Sequence, residues 1–383
     1  MNATAAFIEQ ASPAAPARKP QLPALTGVRT LLAVNIMLFH FTPPHMQLLY
    51  PLINNSYVFV GFFILLSGFV LSYNYADRPR LVKRDFWRAR FARLYPIYLL
   101  SLILFINMLV VEYHARPHGQ FWAGVVLTPL LLQGWSPLLA TFWNTVAWTL
   151  SCEAALYLAF PYIVKLPWPR SAGRLAALLL GIWCLGLVPH ALYMIFNPDK
   201  LTAPLDRYSY GFWLRALKYT PLAYLATFLV GITLAKLHAS LHVTNRQRTL
   251  IAAVSLMAIG VFFAVAVDHV PYILMHGGLL VPVFSALVIG LSGPNIFARA
   301  FSVRPVMLLG QASYALFLLH FNFINLLRQY NVPQHLHVAA LDPWISYGAT
   351  LLLSIAAMYF VERPARRMIL NHKRDPAPAG KEM

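Results

Sequence analysis

The sequence is poor in charged residues and in cysteine. Only 11% of its 383 residues are charged and 59% are hydrophobic, whereas an ordinary soluble domain has roughly 25% charged residues. This composition excludes a water-soluble globular protein. The two cysteines, Cys152 and Cys184, lie inside apolar segments and have no metal-ligand spacing. We therefore expect no disulfide framework and no metal site.

Long apolar runs occupy most of the chain. Each is long enough to cross a hydrocarbon layer of roughly 30 Å and predicts a transmembrane helix. Ten such spans are predicted at residues 25–42, 57–76, 94–112, 148–165, 176–196, 219–236, 250–267, 274–292, 306–327 and 344–361. A further stretch, 121–139, is interrupted by Pro129, Gly134 and Pro137, so it is either an eleventh span or a segment that enters the membrane and returns. The predicted fold is an all-α, polytopic membrane protein with about ten transmembrane helices in one bundle.

Basic residues predict the orientation. The net charge of +18 would suggest a nucleic-acid partner in a soluble protein, but here Lys and Arg lie in short segments between apolar runs. With ten spans and a cytoplasmic N-terminus, 23 of the 30 Lys and Arg residues fall on the cytoplasmic side and six outside, as the positive-inside rule requires. We predict a bacterial inner-membrane protein with both termini cytoplasmic, surrounded by lipid and with no nucleic-acid partner.

Three regions are predicted along the chain. Residues 1–24 are rich in proline and predict a disordered cytoplasmic tail. Residues 25–367 form the membrane domain, and residues 368–383 form a second disordered cytoplasmic tail. Since no soluble domain of useful size is predicted, any chemistry must take place inside the bundle.

The first span carries Arg29 and His40, eleven residues apart. An ionisable side chain in a spanning helix costs at least a few kcal/mol and is therefore a functional candidate. Eleven residues make almost three turns, so both side chains share one face and lie about 16 Å apart along the axis. Arg29 offers a fixed cation for an anion, and His40 offers a base or nucleophile. Alternatively, Arg29 anchors the helix by snorkelling and His40 packs near the interface.

Glu153 is the only acidic residue that lies well inside a predicted span. Topology places it at about the depth of His40, where a carboxylate would orient the imidazole and stabilise its charged form. Alternatively, Glu153 pairs with an arginine for packing. Tyr157 lies on the same face one turn later.

The segment before the third span carries Arg90 and Arg93, which a helix would direct into the cytoplasmic mouth of the bundle. Guanidinium groups suit the phosphates of a donor nucleotide, although basic loops more commonly bind anionic lipid headgroups. In the ninth span, Ser313 and His320 share a face. Seven residues place them about 10 Å apart, so we predict that they and Tyr314 line a pocket rather than form a nucleophilic pair.

Four segments, in this order, resemble the acyltransferase-3 family of integral membrane O-acyltransferases over nearly the whole chain. They are Arg29 with ten residues before His40, Arg90-x-x-Arg93 before Tyr95-Pro96, Trp148…Glu153…Tyr157…Pro161, and Gly310…Ser313-Tyr314…His320. The tripeptides SGF at Ser67 and ERP at Glu362 are also similar. Thr30 departs from the family, which often has glycine after the arginine.

The resemblance implies that acyl-CoA, usually acetyl-CoA, binds from the cytoplasm and that its acyl group reaches a hydroxyl on the far side of the membrane. The family's essential histidine maps onto His40, and its arginines map onto Arg29, Arg90 and Arg93. The expected acceptor is an extracytoplasmic or lipid-linked glycan, such as O-antigen or exopolysaccharide. The alternative is a transporter or flippase of a glycan or lipid that uses Glu153 and His40 as a proton relay.

Overall fold

The computed structural model describes residues 19–78 and 81–371, and these residues contain helices but no strand. The α-helices are α1 (Pro23–His40), α2 (Tyr50–Asn54), α3 (Val58–Tyr75), α4 (Lys83–Leu104), α5 (Met108–Ala115), α6 (His118–Leu127), α7 (Trp148–Ile163), α8 (Ala172–Phe196), α9 (Phe212–Tyr219), α10 (Leu225–Ser240), α11 (Asn245–Val261), α12 (Tyr272–His276), α13 (Val281–Leu291), α14 (Ile296–Phe301), α15 (Arg304–Gln329), α16 (Val332–His335), α17 (Trp344–Ala357) and α18 (Arg363–Asn371). Short 3₁₀ segments lie at Gln47–Leu49, Gln133–Trp135, Pro221–Tyr224, Val267–His269 and Ala339–Leu341, and π-helical segments at Phe262–Ala266 and Met358–Glu362. The predicted all-α class is confirmed.

The predicted tails are described only at their inner ends. Residues 1–18 and 372–383 lie outside the described residues. Helix α1 begins at Pro23, and α18 continues to Asn371. Residues 368–371, assigned to the disordered tail from the sequence, are therefore helical.

Eight stretches of the described residues are long and apolar enough to cross a membrane. They are Pro23–His40, Val58–Tyr75, Ala172–Phe196, Pro221–Ser240, Asn245–His269, Tyr272–Leu291, Arg304–Gln329 and Trp344–Asn371. Each coincides with a predicted span, so the protein is a multi-pass membrane protein. More than half of the residues in the apolar windows of α1, α3 and α15 are buried, against 17% for α8. Helices α1, α3 and α15 thus lie near the centre of the bundle.

The predicted total of ten spans is not confirmed. The span predicted at 94–112 is divided between α4 and α5, which are bent by 73° at a short break. The span predicted at 148–165 contains α7, which has 16 residues and is about 24 Å long. A helix of that length falls short of the hydrocarbon layer when it is surrounded by lipid, but α7 packs inside the bundle.

The stretch 121–139 is not a continuous helix. Helix α6 ends at Leu127, and the chain then turns back through a short 3₁₀ segment. This segment is attached to α7, since Gln133 Nε2 donates to the Ala147 carbonyl at 3.2 Å and Ser151 Oγ donates to the Leu131 carbonyl at 2.6 Å. The interrupted segment therefore supports the start of the helix that carries Glu153.

Helix α1 packs very closely against α15 and the preceding α14, because a glycine lies at each of these contacts. A Cβ atom at Gly310 would lie 2.1 Å from the Thr26 carbonyl oxygen, and one at Gly27 would lie 1.8 Å from the Phe301 carbonyl oxygen. Thr30 Oγ1 also donates to the Val306 carbonyl at 2.7 Å. Small residues at such contacts let helix backbones approach in a membrane, and this contact brings His40 beside α15.

Candidate active site

Three adjoining cavities follow helix α1 through the bundle. The basic cavity, near the start of α1, has a volume of about 310 Å³ and is lined by Arg29, Arg90 and Arg93. A small cavity between the other two, which we call the neck, is lined by Arg29, Phe63 and Phe317 among other residues and has a volume of about 40 Å³. The His40 cavity, at the end of α1, again has a volume of about 310 Å³.

Shared side chains connect the three cavities. Arg29, Glu153 and Tyr314 line both the basic cavity and the neck. Val60 and Phe317 line both the neck and the His40 cavity. The predicted face of α1 therefore points into one row of spaces, with Arg29 and His40 at different levels.

The structure brings the three predicted donor arginines together in the basic cavity. Arg93 forms an ion pair with Glu362, which is only 2% exposed. The Nε atoms of Arg29 and Arg90 are buried and have no hydrogen-bond partner within the described part of the chain. Guanidinium groups with free donors match the geometry of phosphate oxygens, so this cavity suits a phosphorylated ligand.

Contacts at the start of α4 explain the position of these arginines. Arg88 donates to the backbone carbonyls of Ile369 and Leu370 at 2.8 and 2.6 Å, at the end of α18. A cation is favourable at the C-terminus of a helix because the last carbonyls have no intrahelical partner. This contact fixes α4 against α18 and turns Arg90 and Arg93, one turn further on, into the cavity.

Glu153 lies at the neck, not beside His40. Its Oε1 accepts a hydrogen bond from Ser67 at 2.9 Å, and the Tyr157 hydroxyl donates to Ser67 Oγ at 3.4 Å. The residue of α7 that lies at the same depth as His40 is Trp148, which lines the His40 cavity. Five residues of helix separate Trp148 from Glu153, a rise of about 7.5 Å. The expected contact between Glu153 and the imidazole of His40 is therefore wrong.

His320 occupies the place beside His40 that the sequence assigned to Glu153. The two imidazole ring centroids are 5.2 Å apart. His320 Nδ1 lies 2.8 Å from the Phe317 carbonyl oxygen, which can only accept, so Nδ1 carries the proton. The Nε2 atom is then an acceptor in the neutral ring, and it is buried without a partner in the described residues.

The other predicted lining residues divide between the cavities. Tyr157 lines the basic cavity, Ser313 lines the neck, and Tyr314 lines both. Ser313 Oγ donates to the Gly310 carbonyl at 2.8 Å, and the Tyr314 hydroxyl donates to the Leu94 carbonyl at 2.6 Å. His320 lines none of the three cavities, because it is fully buried behind His40.

Several polar residues of the site were not predicted from the sequence. Ser67 and Glu362 lie in the SGF and ERP tripeptides, which gave a signal without a role. The His40 cavity is also lined by Arg207, Lys218, Tyr272 and His276. Tyr272 Oη and His276 Nε2 lie 3.0 Å apart, and their i, i+4 spacing was the only signal available for them.

No group of three or more His, Cys, Asp and Glu side chains that could hold a metal ion is present in residues 19–78 and 81–371. The cavities offer cationic side chains that can bind an anion at one end and an imidazole for acid–base or nucleophilic chemistry at the other.

Similarity to known proteins extends over almost the whole chain. A family model for an acyltransferase domain matches residues 22–363. The chain is 28% identical over 330 residues to Acyltransferase MdmB of Streptomyces mycarofaciens. The matched region covers 81% of this chain and 81% of that protein. No solved structure matches the chain.

Two further relatives are longer than this chain. It is 21% identical over 373 residues to Peptidoglycan O-acetyltransferase OatA of Listeria monocytogenes, covering 90% of this chain and 56% of that protein. It is also 21% identical over 369 residues to O-acetyltransferase OatA of Staphylococcus aureus, covering 90% of this chain and 57% of that protein. The chain thus spans just over half the length of the OatA relatives.

Proposed function

The chain belongs to the acyltransferase domain family, and from this premise we propose that it moves an acetyl group from cytoplasmic acetyl-CoA to a hydroxyl of a glycan on the other side of the membrane. The observation that carries the proposal is the row of cavities, with three arginines at one end and an imidazole at the other. The arginines suit the phosphates of coenzyme A. The neck gives the pantetheine arm a route toward His40.

The orientation follows from the donor. Acetyl-CoA is a cytoplasmic metabolite, so the basic cavity faces the cytoplasm and the His40 cavity opens toward the other side. The excess of Lys and Arg in the loops on the basic side agrees with this orientation. Both chain termini then lie on the cytoplasmic side of a bacterial inner membrane.

His40 performs the transfer in one of two ways. As a base, it takes the proton of the acceptor hydroxyl while the oxygen attacks the thioester carbonyl. The carbon–sulfur bond breaks, and coenzyme A leaves as a thiolate that takes up a proton. As a nucleophile, the imidazole first forms an acyl-imidazole with release of the thiolate. The acceptor oxygen then attacks the acyl carbon, the carbon–nitrogen bond breaks, and the hydroxyl proton passes to the released imidazole.

His320 and Glu153 support different parts of this reaction. His320 Nε2 is beside His40 and has no hydrogen-bond partner among the described residues. In the proposed reaction it comes to accept the ring N–H of His40, which fixes the tautomer and stabilises the imidazolium, as the acid does in a serine hydrolase triad. Glu153 lies with Arg29 at the neck, where its carboxylate orients the guanidinium and accepts hydrogen bonds from the donor's amide groups. Tyr157, Ser313 and Tyr314 shape the passage.

The acceptor is a saccharide hydroxyl. The OatA relatives are named as O-acetyltransferases, one of them for peptidoglycan, which supports a cell-envelope glycan. Since the His40 cavity lies within the bundle, a lipid-linked repeat unit of O-antigen or exopolysaccharide reaches it more readily than a mature wall polymer. A transporter is disfavoured because the matched family is an acyltransferase family.

The test uses the full-length protein in detergent and in native membranes. We expect coenzyme A to raise its melting temperature, and radiolabelled acetyl-CoA to label envelope glycans in its presence. His40→Ala should lower labelling by about 10²–10⁴-fold and keep the stabilisation by coenzyme A. His335→Ala, a change at an exposed histidine of α16, serves as the control.

Two results would refute the proposal. The first is a His40→Ala protein that folds normally and labels glycans at the wild-type rate. The second is a melting temperature that coenzyme A does not change at any concentration.

A further inference from the structure

The His40 cavity contains two cations and no acidic side chain. Arg207 and Lys218 line it, and neither Asp nor Glu does. Lys218 is only 2% exposed. Its ammonium donates to the Arg207 carbonyl at 3.3 Å, which is its one hydrogen bond to the described residues. An ammonium has three donors, so most of the hydrogen-bonding capacity of Lys218 is unused.

Arg207 is also left with free donors. Its Nη1 donates to the Phe39 carbonyl at 3.0 Å, which satisfies one of the open carbonyls at the end of α1. The guanidinium lies 4.8 Å from the Phe39 ring centroid. The ion pairs of the described chain involve other cations, namely Lys19, Arg93 and Arg116. Four N–H groups of Arg207 thus remain for a ligand.

The nearby charged groups compensate these two cations only in part, because the charge of Asp206 opposes the lowering of the Lys218 pKa without cancelling it. Asp206 is exposed, and its carboxylate accepts hydrogen bonds from the backbone of Tyr208 and Ser209 in its own turn at 2.9 and 2.8 Å. Arg215 adds another positive charge and donates to the Pro137 carbonyl at 2.7 Å. Burial, followed by the charge of Arg215, lowers the pKa of Lys218 to about 8. Lys218 is therefore still mostly protonated at neutral pH.

Burial removes the hydration of the Lys218 ammonium, and the protein replaces it only with one carbonyl and with the rings of Tyr219 and Tyr272, whose centroids lie 5.4 and 5.1 Å away. A buried cation without a counter-charge is costly. Proteins keep such groups where a ligand supplies the opposite charge. Here the two cations share a cavity with His40, and the cavity volume of about 310 Å³ suits a small ligand such as one sugar unit. The opposite charge therefore belongs on the molecule that meets His40.

We propose that Arg207 and Lys218 bind an anionic group on the acceptor, so that the acceptor is an acidic sugar or a sugar phosphate rather than a neutral sugar. This inference rests on the proposed acyl transfer for the identity of the ligand as the acceptor. The shared chemistry is a carboxylate or phosphate placed one sugar unit from the hydroxyl that His40 activates. Bidentate hydrogen bonds from the guanidinium would hold this anion and fix which hydroxyl faces the imidazole.

The experiment measures binding by thermal shift on the full-length protein in detergent. Saturating coenzyme A is present throughout, so that the arginines of the basic cavity are occupied. Three probes are compared: glucuronate, glucose 1-phosphate and neutral glucose. We expect at least one of the two anionic sugars to raise the melting temperature and glucose to leave it unchanged. The glucuronate and phosphate arms distinguish a carboxylate on the sugar from a phosphate linkage.

Variants identify the site. Lys218→Met should weaken binding of the anionic sugar by about tenfold to a hundredfold, and Lys218→Arg should retain most of it. Arg328→Met is the matched control, because Arg328 is exposed and lies 4.9 Å from the Phe41 ring centroid near the same end of α1. It should bind as the wild type does. Stabilisation by coenzyme A verifies that each variant is folded.

The inference fails if glucose stabilises the protein as well as the anionic sugars do, or if folded Lys218→Met binds them with wild-type affinity. If Lys218→Met does not fold, the charged and neutral sugars are compared on the wild type and on Arg207→Lys. Tighter binding of a charged sugar that Arg207→Lys weakens supports the inference, and equal binding of neutral glucose overturns it. An anionic sugar that binds through Lys218 in a protein that coenzyme A does not stabilise would support the anion site and refute the proposed function.

Discussion

The basic cavity and the His40 cavity have similar volumes but differ in whether acidic side chains balance their positive charges. In the basic cavity, Arg93 is paired with the buried Glu362, and Glu153 lines the wall beside Arg29. In the His40 cavity, Arg207 and Lys218 bond only to backbone carbonyls. One cavity contains its own counter-charges, whereas the other contains none among the described residues.

This difference indicates two kinds of binding site. Built-in carboxylates hold guanidinium groups in position before a ligand arrives, which lowers the ordering cost of binding. A cavity with uncompensated cations depends on the ligand for its charge balance. Changes in the basic cavity should therefore affect donor affinity, and changes near His40 should affect turnover and the acceptor.

The largest expected effect comes from a change that damages both cavities at once. Gly310→Ala places a methyl group 2.1 Å from the Thr26 carbonyl, so α15 must move away from α1. Overpacking of this kind costs about 1–3 kcal/mol. We expect a lower melting temperature together with loss of both coenzyme A binding and transfer. Gly348→Ala, where no atom lies within 4 Å of the new Cβ, should be neutral or slightly stabilising.

Next in size is His320→Phe, which tests the His40 side alone. The change keeps an aromatic ring but removes the acceptor beside His40. We expect kcat to fall on the order of tenfold to a hundredfold, less than for loss of the base itself, with an altered pH profile and an unchanged KM for acetyl-CoA. A fall in donor affinity with normal kcat would show that His320 acts only through packing.

Arg90→Met tests the basic side alone. The change removes a guanidinium whose Nε has no hydrogen-bond partner in residues 19–78 and 81–371, so we expect it to weaken binding of the ligand. We expect the KM for acetyl-CoA to rise by about tenfold to a hundredfold while kcat stays constant. Arg84→Met, an exposed position on the same helix, should leave both constants unchanged. Equal effects of the two changes would remove the distinction between cavity and surface arginines.

The smallest expected effect is that of Glu362→Gln. The amide still accepts a hydrogen bond from Arg93, but the bond is no longer between opposite charges and is about half as strong. We expect the KM for acetyl-CoA to rise by about fivefold. Glu112→Gln weakens the partly buried ion pair Arg116–Glu112, which lies outside the three cavities. Donor KM should not respond to it, and an equal response would make Glu362 a purely structural residue.

Sequence patterns predicted the parts of the site that depend on a single helix. The positions of Arg29 and His40 follow from the helical repeat, and the gathering of Arg90 and Arg93 near Arg29 follows from chain direction. The partner of His40 could not be predicted in this way, because a shift of about one and a half turns on α7 separates Glu153 from that level. Contacts between helices depend on close approach at residues such as Gly27 and Gly310, which the sequence marks only as small.

The membrane spans show the same limit. Hydropathy identified every long apolar helix, since lipid favours such runs directly. It did not predict the bend between α4 and α5 or the short length of α7. Helix α7 is enclosed by neighbouring helices, and enclosure relaxes the length that lipid would impose.

The narrow neck has a consequence for the cell as well as for the reaction. Its volume of about 40 Å³ admits only a few water molecules, so the two larger cavities are not joined by an open aqueous pore. Under the proposed function, the protein would pass an acyl group across the membrane without opening a route that dissipates the proton gradient. Phe63 and Phe317 line the neck, and under the proposed function their side chains would act as a hydrophobic seal that rotates aside for the thioester.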